Sequence, residues 1–519
     1  MEENEGWERR TSGKTMPSWF ADAGSLGFHR LETDISADIV VVGAGIAGMS
    51  IAYFLSKAGR NVVVLDDGNV GSGETGRTTA HISHVLDDRY YRIERIHGRK
   101  NTRLAAESHT AAIIRIESIV HEENIDCDFE RLDGYLFLDP TDKKKTLDQE
   151  LKSTHRIGII GTELLERAPL KSFDTGPCIR FPNQAQFHPL KYLSGLAHAI
   201  VRHGGTIHTE THVQEVSSTG VRTAEGKKVR ASKIVVATNA PIVDKISKIH
   251  HKQHPFRTYV VAARVKKGSV TRALYWDTGN QKSKNSVQPY HYVRIQELKN
   301  EPGNDLLIVG GEDQATGDSA DTKRKYETLE AWTRKRFPVK KVAYRWSGQD
   351  FDSKDSLAFI GRNPHDSRKN VFISTGNSWN GITYGTIAGM LLSDVILGKE
   401  NKWARLYDPS RRIVTQANVS YPESPKPKKL GLQDALHMAG KLTPGQGVVV
   451  EIRREKSMAF YRAEDGKLRS FSASCTHEGC TVTWNESERS FDCSCHGSRF
   501  SYRGNVVSSP ANYDLETAE

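Results

Sequence analysis

The chain has 519 residues with a formal net charge of +10, and 37% of its residues are hydrophobic. Because one hydrophobic core stops growing at roughly 250 to 300 residues, this length predicts two or three domains. Basic residues are scattered among nearly as many acidic ones, and no apolar run approaches the roughly 20 residues that a membrane span needs. The composition therefore indicates a soluble cytoplasmic protein with no nucleic-acid partner and no membrane span.

The first part of the chain contains a nucleotide-binding pattern. Residues 1–36 show little periodicity and are expected to form an irregular N-terminal extension, and the segment DIVVVGAGIAGMSIAYFLSKAGRNVVVLDDG then predicts strand, glycine-rich turn, helix and strand. Gly43, Gly45 and Gly48 lie where strand meets helix, and the helix N-terminus offers free N–H groups and a positive dipole to phosphates. Asp66 ends the second strand and is suited to bind ribose hydroxyls, which predicts an adenosine diphosphate group and leaves FAD and NAD as alternatives.

A polar segment, GSGETGRTTAHIS at residues 71–83, comes directly after the second strand. Its hydroxyl groups and its one guanidinium suit the charge of a pyrophosphate, although any one of them alone is also typical of a polar surface loop. The candidate phosphate-binding residues in this segment are Ser72, Thr75, Arg77, Thr78 and Thr79.

The middle of the chain alternates helical and extended patterns. Apolar residues recur on one helical face between residues 99 and 124, residues 234–237 are typical of a buried strand, and residues 255–312 alternate strand-like runs with turn residues. We therefore expect an antiparallel sheet beside the first α/β unit, followed by a last α/β section. Residues 412–431 contain a stretch rich in Pro, Lys and Ser and are predicted to be a linker.

The tail from residue 432 is typical of short strands and turns, and it contains a cluster of cysteine and histidine. Cys475 with His477, and Cys493 with His496, form one C-x-H pair and one C-x-x-H pair. Zinc sites usually contain separate pairs of Cys and of His, whereas a Rieske [2Fe–2S] centre needs two thiolates on one iron and two imidazoles on the other. A zinc site and an iron–sulfur cluster are both open at this point, and the mixed pairs favour the cluster.

Residues 37–410 resemble the D-amino-acid oxidase-like family of flavoproteins. The resemblance depends on the glycine pattern, on the polar segment after it, on VVATNAP, and on YRWSGQDFDSKDSLAFIG and STGNSWNGITYGTIAG. It implies that the bound dinucleotide is FAD and that Gly376 and Gly381 bring backbone close to the isoalloxazine ring. It also implies that the chemistry is hydride removal from a C–N bond.

The same resemblance implies a substrate pocket between the antiparallel sheet and the last flavin-contacting loop. Each candidate in it is an aromatic residue or a histidine that ordinary core or sheet packing would equally explain. The candidate catalytic residues are Tyr290, His291, Trp379 and Tyr384, and Tyr292 and Trp346 are further candidates for the pocket. Gln349 stands where the family commonly has an arginine that binds a substrate carboxylate, so the expected substrate is a small amine or an amino-acid-like compound.

The tail resembles the Rieske proteins through CTHEGC and CSCHGS. This resemblance implies that the ligands of a [2Fe–2S] cluster are Cys475, His477, Cys493 and His496. It further implies a disulfide between the two remaining cysteines of the cluster, Cys480 and Cys495, with two free thiols as the alternative.

The sequence as a whole predicts an α/β (α+β) fold. A Rossmann-type FAD-binding domain with an antiparallel-sheet substrate domain is expected over residues 37–411, and a C-terminal all-β Rieske domain over residues 432–519. The predicted function is an FAD-dependent oxidoreductase that takes a hydride from a small-molecule substrate and passes single electrons through the cluster to or from an unknown partner. The alternatives are an electron-transfer or redox-sensing protein without a small-molecule substrate, and an O2-using oxidase with a structural cluster.

Overall fold

The computed structural model of the chain describes residues 11–23, 26–243, 248–283, 289–318, 322–414, 427–452 and 457–518. The α-helices within these ranges are α1 (Trp19–Ala23), α2 (Ile46–Lys57), α3 (Tyr90–Glu122), α4 (Lys144–Ile157), α5 (Pro189–Arg202), α6 (Thr322–Arg336), α7 (Gly381–Ile396), α8 (Ala404–Tyr407) and α9 (Leu432–Gly440).

The strands up to residue 300 are β1 (Ile35–Val42), β2 (Val62–Leu65), β3 (His81–Ile82), β4 (Glu130–Phe137), β5 (Glu163–Leu165), β6 (Cys178–Gln186), β7 (Thr206–His208), β8 (Val213–Ser217), β9 (Gly220–Thr223), β10 (Lys228–Val236), β11 (Gln253–Lys266), β12 (Leu274–Asp277) and β13 (His291–Glu297). The later strands are β14 (Asn304–Ala315), β15 (Lys341–Ser353), β16 (Phe359–Arg362), β17 (Val371–Thr375), β18 (Lys428–Leu430), β19 (Gly447–Ile452), β20 (Met458–Arg462), β21 (Leu468–Ser472), β22 (Val482–Asn485), β23 (Ser490–Cys493), β24 (Arg499–Ser501) and β25 (Val506–Ser508).

The first sheet positions the glycine pattern. Its main strand order is β16-β17-β10-β1-β2-β7, and β8 and β9 continue from β10. β1 pairs in parallel with both β10 and β2, and the apolar ends of these strands are buried. Because the carboxyl ends of parallel strands meet at one edge of a sheet, the glycine turn after β1 and Asp66 after β2 lie at the same edge.

The second sheet has the order β15-β11-β14-β13-β12-β4-β6-β3, and β5 pairs with β6. Neighbouring strands from β11 to β15 run antiparallel, which confirms the antiparallel sheet expected from the sequence. The helix expected between residues 99 and 124 is α3, which begins earlier and bends at Gly98, where φ is 73°.

The C-terminal part contains two four-stranded sheets, β18-β19-β20-β21 and β22-β23-β24-β25, together with the short helix α9. Most of the predicted linker, residues 415–426, lies outside the described residues. Its last residues form β18, which pairs with β19 through backbone hydrogen bonds that the composition of the segment does not reveal. The domain boundaries at residues 411 and 432 therefore stay predictions.

The described part of the N-terminal extension is packed into the protein. Trp19 is 2% exposed, and its indole N–H donates to the carbonyl of Thr78 at 2.7 Å. The Thr11 side chain is also buried and accepts a hydrogen bond from Arg77 at 2.6 Å. The extension therefore contributes to the core, although its sequence has no regular hydrophobic period.

A buried charge network joins the extension, the α/β part and the C-terminal part. Its members are Glu74, Arg77, Arg257, Glu488, Asp492 and Arg499. Arg77 Nη2 lies 2.6 Å from Glu488 Oε1, and both side chains are fully buried. The Thr15 hydroxyl of the extension donates to the same carboxylate at 2.5 Å. Three guanidinium groups thus face three carboxylates, which is the condition for burying charge without a large penalty.

The neighbouring guanidinium groups determine the protonation state of the Glu488 carboxyl. Burial alone would raise the pKa of this carboxyl, but Arg77, Arg257 and Arg499 together lower the pKa to about 2. Glu488 is therefore ionised at neutral pH.

In the part of the chain that the structure describes, each helix is too short or too polar to cross a bilayer.

Replacing Glu488 with Gln should destabilise the protein by about 3–5 kcal/mol, because it leaves buried guanidinium groups without their carboxylate. The loss is measured as a lower midpoint of thermal or urea unfolding. Glu464→Gln is the matched control, since Glu464 pairs with Arg489 at 2.8 Å on the surface and should contribute less than about 1 kcal/mol. Equal effects of the two variants would contradict a stabilising role for the buried charge network.

The same carboxylate predicts a specific acid sensitivity. Because the pKa of Glu488 is lower in the folded protein than its ordinary value of 4.5, its contribution is complete above pH 4.5 and is lost as the pH falls toward 2. The difference in stability between the parent protein and Glu488→Gln should therefore shrink over this range. A constant difference would show that Glu488 does not titrate as described.

Candidate functional site

A cavity of about 520 Å³ is bordered by both large sheets and by the C-terminal part. Its dinucleotide end is lined by Gly43, Gly45 and Asp66, and its aromatic end is lined by Trp276, Tyr290, Tyr292 and Trp379. This volume lies within the range of roughly 300–1,000 Å³ typical of cofactor and ligand sites.

The glycine turn brings the N-terminus of α2 to the cavity. Gly43 has a φ of 107°, which L-residues with side chains rarely adopt. A Cβ on Gly48 would lie 1.9 Å from the carbonyl oxygen of Gly43, so only glycine allows this approach of helix to strand. Gly48 therefore lies behind the cavity wall, where it lets α2 pack closely against the glycine turn, whereas Gly43 and Gly45 line the cavity.

Asp66 is held at the dinucleotide end by backbone groups. Its carboxylate accepts hydrogen bonds from the N–H of Ala44 at 2.6 Å and of Gly68 at 2.8 Å. Burial, together with the neighbouring Asp67, raises the pKa of Asp66 to about 7. A ribose that donates its hydroxyls to this carboxylate would favour the ionised form.

The hydroxyl groups predicted beside the pyrophosphate also lie at the cavity. Ser72, Thr75, Thr78 and Thr79 all line it. The Thr75 hydroxyl oxygen accepts from the N–H of Ile46 at 3.0 Å and so reaches the first turn of α2. The Ser72 hydroxyl lies 3.4 Å from Asp66. Their binding of phosphate oxygens stays a prediction, which this shared position supports.

The Arg77 guanidinium, expected from the sequence to bind a pyrophosphate, is instead bound by protein groups. Its Nε donates to the carbonyl of Ser347, and its Nη2 forms the buried ion pair with Glu488. Its Nη1 donates to Thr11 and to the carbonyl of Thr15. Although Arg77 borders the cavity, protein groups bind all three of its guanidinium nitrogens. The sequence around Arg77 could not reveal this, because the carboxylate partner, Glu488, comes from the C-terminal part.

The dinucleotide end fits the adenosine diphosphate part of FAD. A helix N-terminus next to glycines without side chains offers room and a positive dipole to phosphates, and the buried carboxylate suits a ribose. When bound, FAD supplies a hydride acceptor.

The aromatic end is shaped by an unusual turn before α7. Ser378 and Trp379 have φ values of 40° and 69°, a conformation that persists in non-glycine residues only where the surroundings enforce it. The N–H of Trp379 donates to the carboxylate of Asp350, which fixes the turn at the cavity. Gly381 lines the cavity at the start of α7, whereas Gly376, with a φ of 72°, lies behind it against Phe359.

Tyr290 and Trp379 are therefore at the cavity, but His291 and Tyr384 are not. Residues alternate sides along β13, so His291 points away from the face that carries Tyr292. The His291 ring stacks on Trp332 at 4.1 Å between ring centroids, and its Nδ1 lies 2.7 Å from Asp277. Burial alone would lower the pKa of His291, but Asp277 and Glu312 raise the pKa to about 9.

Tyr384 and Trp346 belong to the core. Tyr384 is 1% exposed and packs edge-on against His109, at 4.4 Å between ring centroids. Trp346 is fully buried and donates from its indole N–H to the carbonyl of Arg77. These positions correct the expectation that His291, Tyr384 and Trp346 reach the pocket.

The four predicted cluster ligands lie together on two loops of the C-terminal part. Cys475 and Cys493 are buried, and the rings of His477 and His496 are 5.1 Å apart between centroids. Two similar loops carry them: Gly479 N–H donates to the carbonyl of Cys475 at 2.8 Å, and Gly497 N–H donates to that of Cys493 at 2.9 Å. Two thiols and two imidazoles on paired loops fit the ligand set of a Rieske [2Fe–2S] cluster.

A disulfide between Cys480 and Cys495 joins the two loops, with an S–S distance of 2.05 Å. The pairing implied by the sequence resemblance is therefore present. Ser498, the residue after the second loop, accepts from the N–H of Ala511 at 2.9 Å and ties the segment around Pro510 to the loops.

The last strand and the segment after it close the cavity. Residues 506–509, 511, 512 and 514 line the cavity that the glycine turn also lines. The Ser509 hydroxyl donates to the carbonyl of Thr238 at 2.7 Å, and the Asn512 amide donates to that of Gln214 at 2.6 Å. Sequence reasoning missed these contacts, because residues 506–514 have no pattern that marks them as part of a dinucleotide site.

The comparisons with known proteins agree with this two-part arrangement. Residues 38–395 match the family model described as FAD dependent oxidoreductase, and residues 435–519 match that of the Rieske [2Fe-2S] domain. The chain is 30% identical over 503 residues, 95% of each chain, to YhfW of Bacillus subtilis (strain 168), described as a Rieske 2Fe-2S iron-sulfur protein.

Two further similarities concern the α/β part. γ-Glutamylputrescine oxidoreductase of Escherichia coli (strain K12) is 27% identical over 387 residues, covering 72% of this chain and 87% of that protein. The structure of glycine oxidase from Geobacillus kaustophilus superposes with a TM-score of 0.59 at 19% identity, covering 73% of this chain and 100% of the oxidase. At that identity the second similarity concerns the fold alone.

Gly48→Ala should weaken FAD binding about tenfold or more, because its Cβ would overlap the Gly43 carbonyl and displace the glycine turn. The measurement is the flavin absorbance retained after purification, followed by FAD titration. Gly440→Ala is the control, since a Cβ there meets nothing within 4 Å. Full retention of FAD by Gly48→Ala would show that the turn does not hold the cofactor.

Cys475→Ser should abolish the EPR signal of the reduced cluster while leaving the flavin spectrum in place, because oxygen replaces one of the two thiolates on its iron. Cys178→Ala is the matched control, since Cys178 is also buried but lies in β6, outside the paired loops. A normal cluster signal in Cys475→Ser would remove this residue from the ligand set.

Proposed function

This chain belongs to the family of FAD-dependent oxidoreductases and ends in a Rieske [2Fe–2S] domain, and from that premise we propose that it oxidises a small amine and passes the electrons singly through the cluster. The α/β part binds FAD and the C-terminal part binds the [2Fe–2S] cluster. The name of the relative γ-glutamylputrescine oxidoreductase supports an amine as the class of substrate.

The observation that carries the amine hypothesis is the charge of the cavity. Among the described residues that line it, Arg77 is the only Arg or Lys, and its guanidinium is bound by protein groups. A substrate carboxylate in a site of low dielectric would need a cation of its own. Asp87 and Asp350 line the cavity instead, so its acidic side chains suit a cationic substrate.

Asp87 is the residue that we assign to proton transfer. Burial raises the pKa of Asp87 to about 7, and the Tyr290 hydroxyl bonds to it. An amine enters as an ammonium ion, and it must lose one proton before its hydride leaves, because the nitrogen lone pair stabilises the iminium product. Ionised Asp87 would accept that proton, FAD would be the acceptor of the hydride, and the iminium product would be hydrolysed by water.

The position of the C-terminal part supports electron transfer within one chain. Residues 506–514 share the cavity with the glycine turn, and the loops of His477 and His496 belong to the same small module. The cluster carries one electron at a time, so the final acceptor in this hypothesis is an external one-electron carrier. A cytoplasmic location of this reaction stays a prediction.

Anaerobic titration with a panel of amines and amino acids should bleach the flavin absorbance with amines that lack a carboxylate, and at least about tenfold less efficiently with their α-carboxylated analogues. The second-order rate of bleaching should rise as the pH increases through about 7, because Asp87 and Asp350 then ionise. Asp87→Asn should lower this rate and flatten its pH dependence.

The outcomes separate the alternatives. Preference for the carboxylated analogues would contradict the amine hypothesis. If no compound bleached the flavin while dithionite reduced both flavin and cluster, the protein would be an electron carrier. In a parallel assay with O2 present, a stoichiometric yield of peroxide with an unreduced cluster would identify an oxidase instead.

A further inference from the structure

Gln349 borders the cavity but uses its side chain to hold the C-terminal part. The side chain is buried, with 3% of the residue exposed. Its Nε2 donates to the carbonyl of Gly497 at 2.8 Å, and its Oε1 accepts from the Thr316 hydroxyl at 3.1 Å. Gly497 follows directly after the predicted ligand His496, so Gln349 connects the cavity wall to a ligand loop.

The fit around Gly497 is tight. A Cβ on this residue would lie 2.7 Å from Pro255, 2.9 Å from Phe351 and 3.0 Å from the Gln349 amide nitrogen. Its φ of 80° is one that side-chain-bearing residues rarely adopt. The ligand loop is therefore seated against β11 and β15 without space for even a methyl group.

His250 packs against the same loops. We use the term histidine edge for the rings of His477 and His496. The His250 ring packs edge-on against both, at 4.8 Å from His477 and 4.3 Å from His496 between ring centroids. Its Nε2 lies 3.2 Å from the Glu478 carboxylate, and His250 itself is only 4% exposed. The α/β part therefore lies over the histidine edge.

We propose that the α/β part is the built-in docking partner of the histidine edge, and that Gln349 is the positioning residue that holds the edge there. This inference depends on the proposed function, because it takes His477 and His496 as cluster ligands. At the position where the resembled family commonly has an arginine that binds a substrate carboxylate, this chain has Gln349, which instead holds the C-terminal part in place. An external redox protein is excluded from the histidine edge, and it must approach the cluster by another face.

The contact is tested on the purified holoprotein with Gln349→Met, which keeps the length of the side chain and removes the hydrogen bond to Gly497. Two readouts are used: hydrogen exchange of the amides of residues 493–498, and the rate at which diethylpyrocarbonate modifies His477 and His496, mapped by mass spectrometry. Loss of one buried hydrogen bond predicts about tenfold faster exchange and modification. Gln446→Met, on the exposed surface, is the matched control and should leave both rates unchanged.

His250→Ala provides an independent second variant. Removing the ring opens the histidine edge directly, so modification of His477 and His496 should accelerate by a similar factor even if Gln349→Met does not fold. The EPR spectrum of the reduced cluster is recorded for every sample.

The results distinguish this inference from the proposed function. Parent-like exchange and modification in both variants, with a normal cluster signal, would overturn the docking role. Absence of a Rieske-type signal from the parent protein would instead show that the proposed electron transfer through the cluster is wrong. Faster rates confined to the two variants would support Gln349 and His250 as the residues that hold and cover the edge.

Discussion

The burial of the Glu488 carboxylate is the constraint on which the arrangement of this protein depends. A charge with no access to water has to be matched, and here the matching groups come from three separate parts of the chain. The C-terminal part provides the carboxylate, the α/β part provides Arg77 and Arg257, and the N-terminal extension adds the Thr15 hydroxyl. Because the α/β part and the C-terminal part cannot separate without stranding a charge, the network fixes how these two parts face each other, and the extension adds a neutral hydrogen bond to it.

The features that could be predicted from the sequence are those whose signals are local. Gly43, Gly45 and Gly48 are required by one turn, and the pairs formed by Cys475, His477, Cys493 and His496 are separated by one or two residues each. The spacing alone predicted a dinucleotide site and favoured an iron–sulfur cluster over zinc, and the family resemblances then implied FAD and the cluster ligands. The parallel and antiparallel sheets were predicted from hydrophobic runs and turn residues. The C-terminal disulfide was also implied by the resemblance and is present.

The features that could not be predicted depend on contacts between distant residues. Arg77 lies in a segment that suits phosphates, but its partner Glu488 is 411 residues away. His291 and Tyr292 are adjacent in sequence, and only the alternation of sides along β13 decides that Tyr292 meets the cavity and His291 does not. The hydrogen bond from Gln349 to Gly497 likewise joins two domains that a sequence pattern treats separately. The site was therefore predictable where it is formed by a motif and not where it is formed by an interface.

The part that residues 506–514 play in the cavity wall bears on how long the flavin stays bound. Until these residues dock, the side of the cavity that they form is open to solvent. We therefore expect the flavin to be held more tightly once the C-terminal part has docked, because docking completes the wall of its cavity. In kinetic terms, we expect the rate of flavin loss to depend on how often the C-terminal part undocks from this side of the cavity.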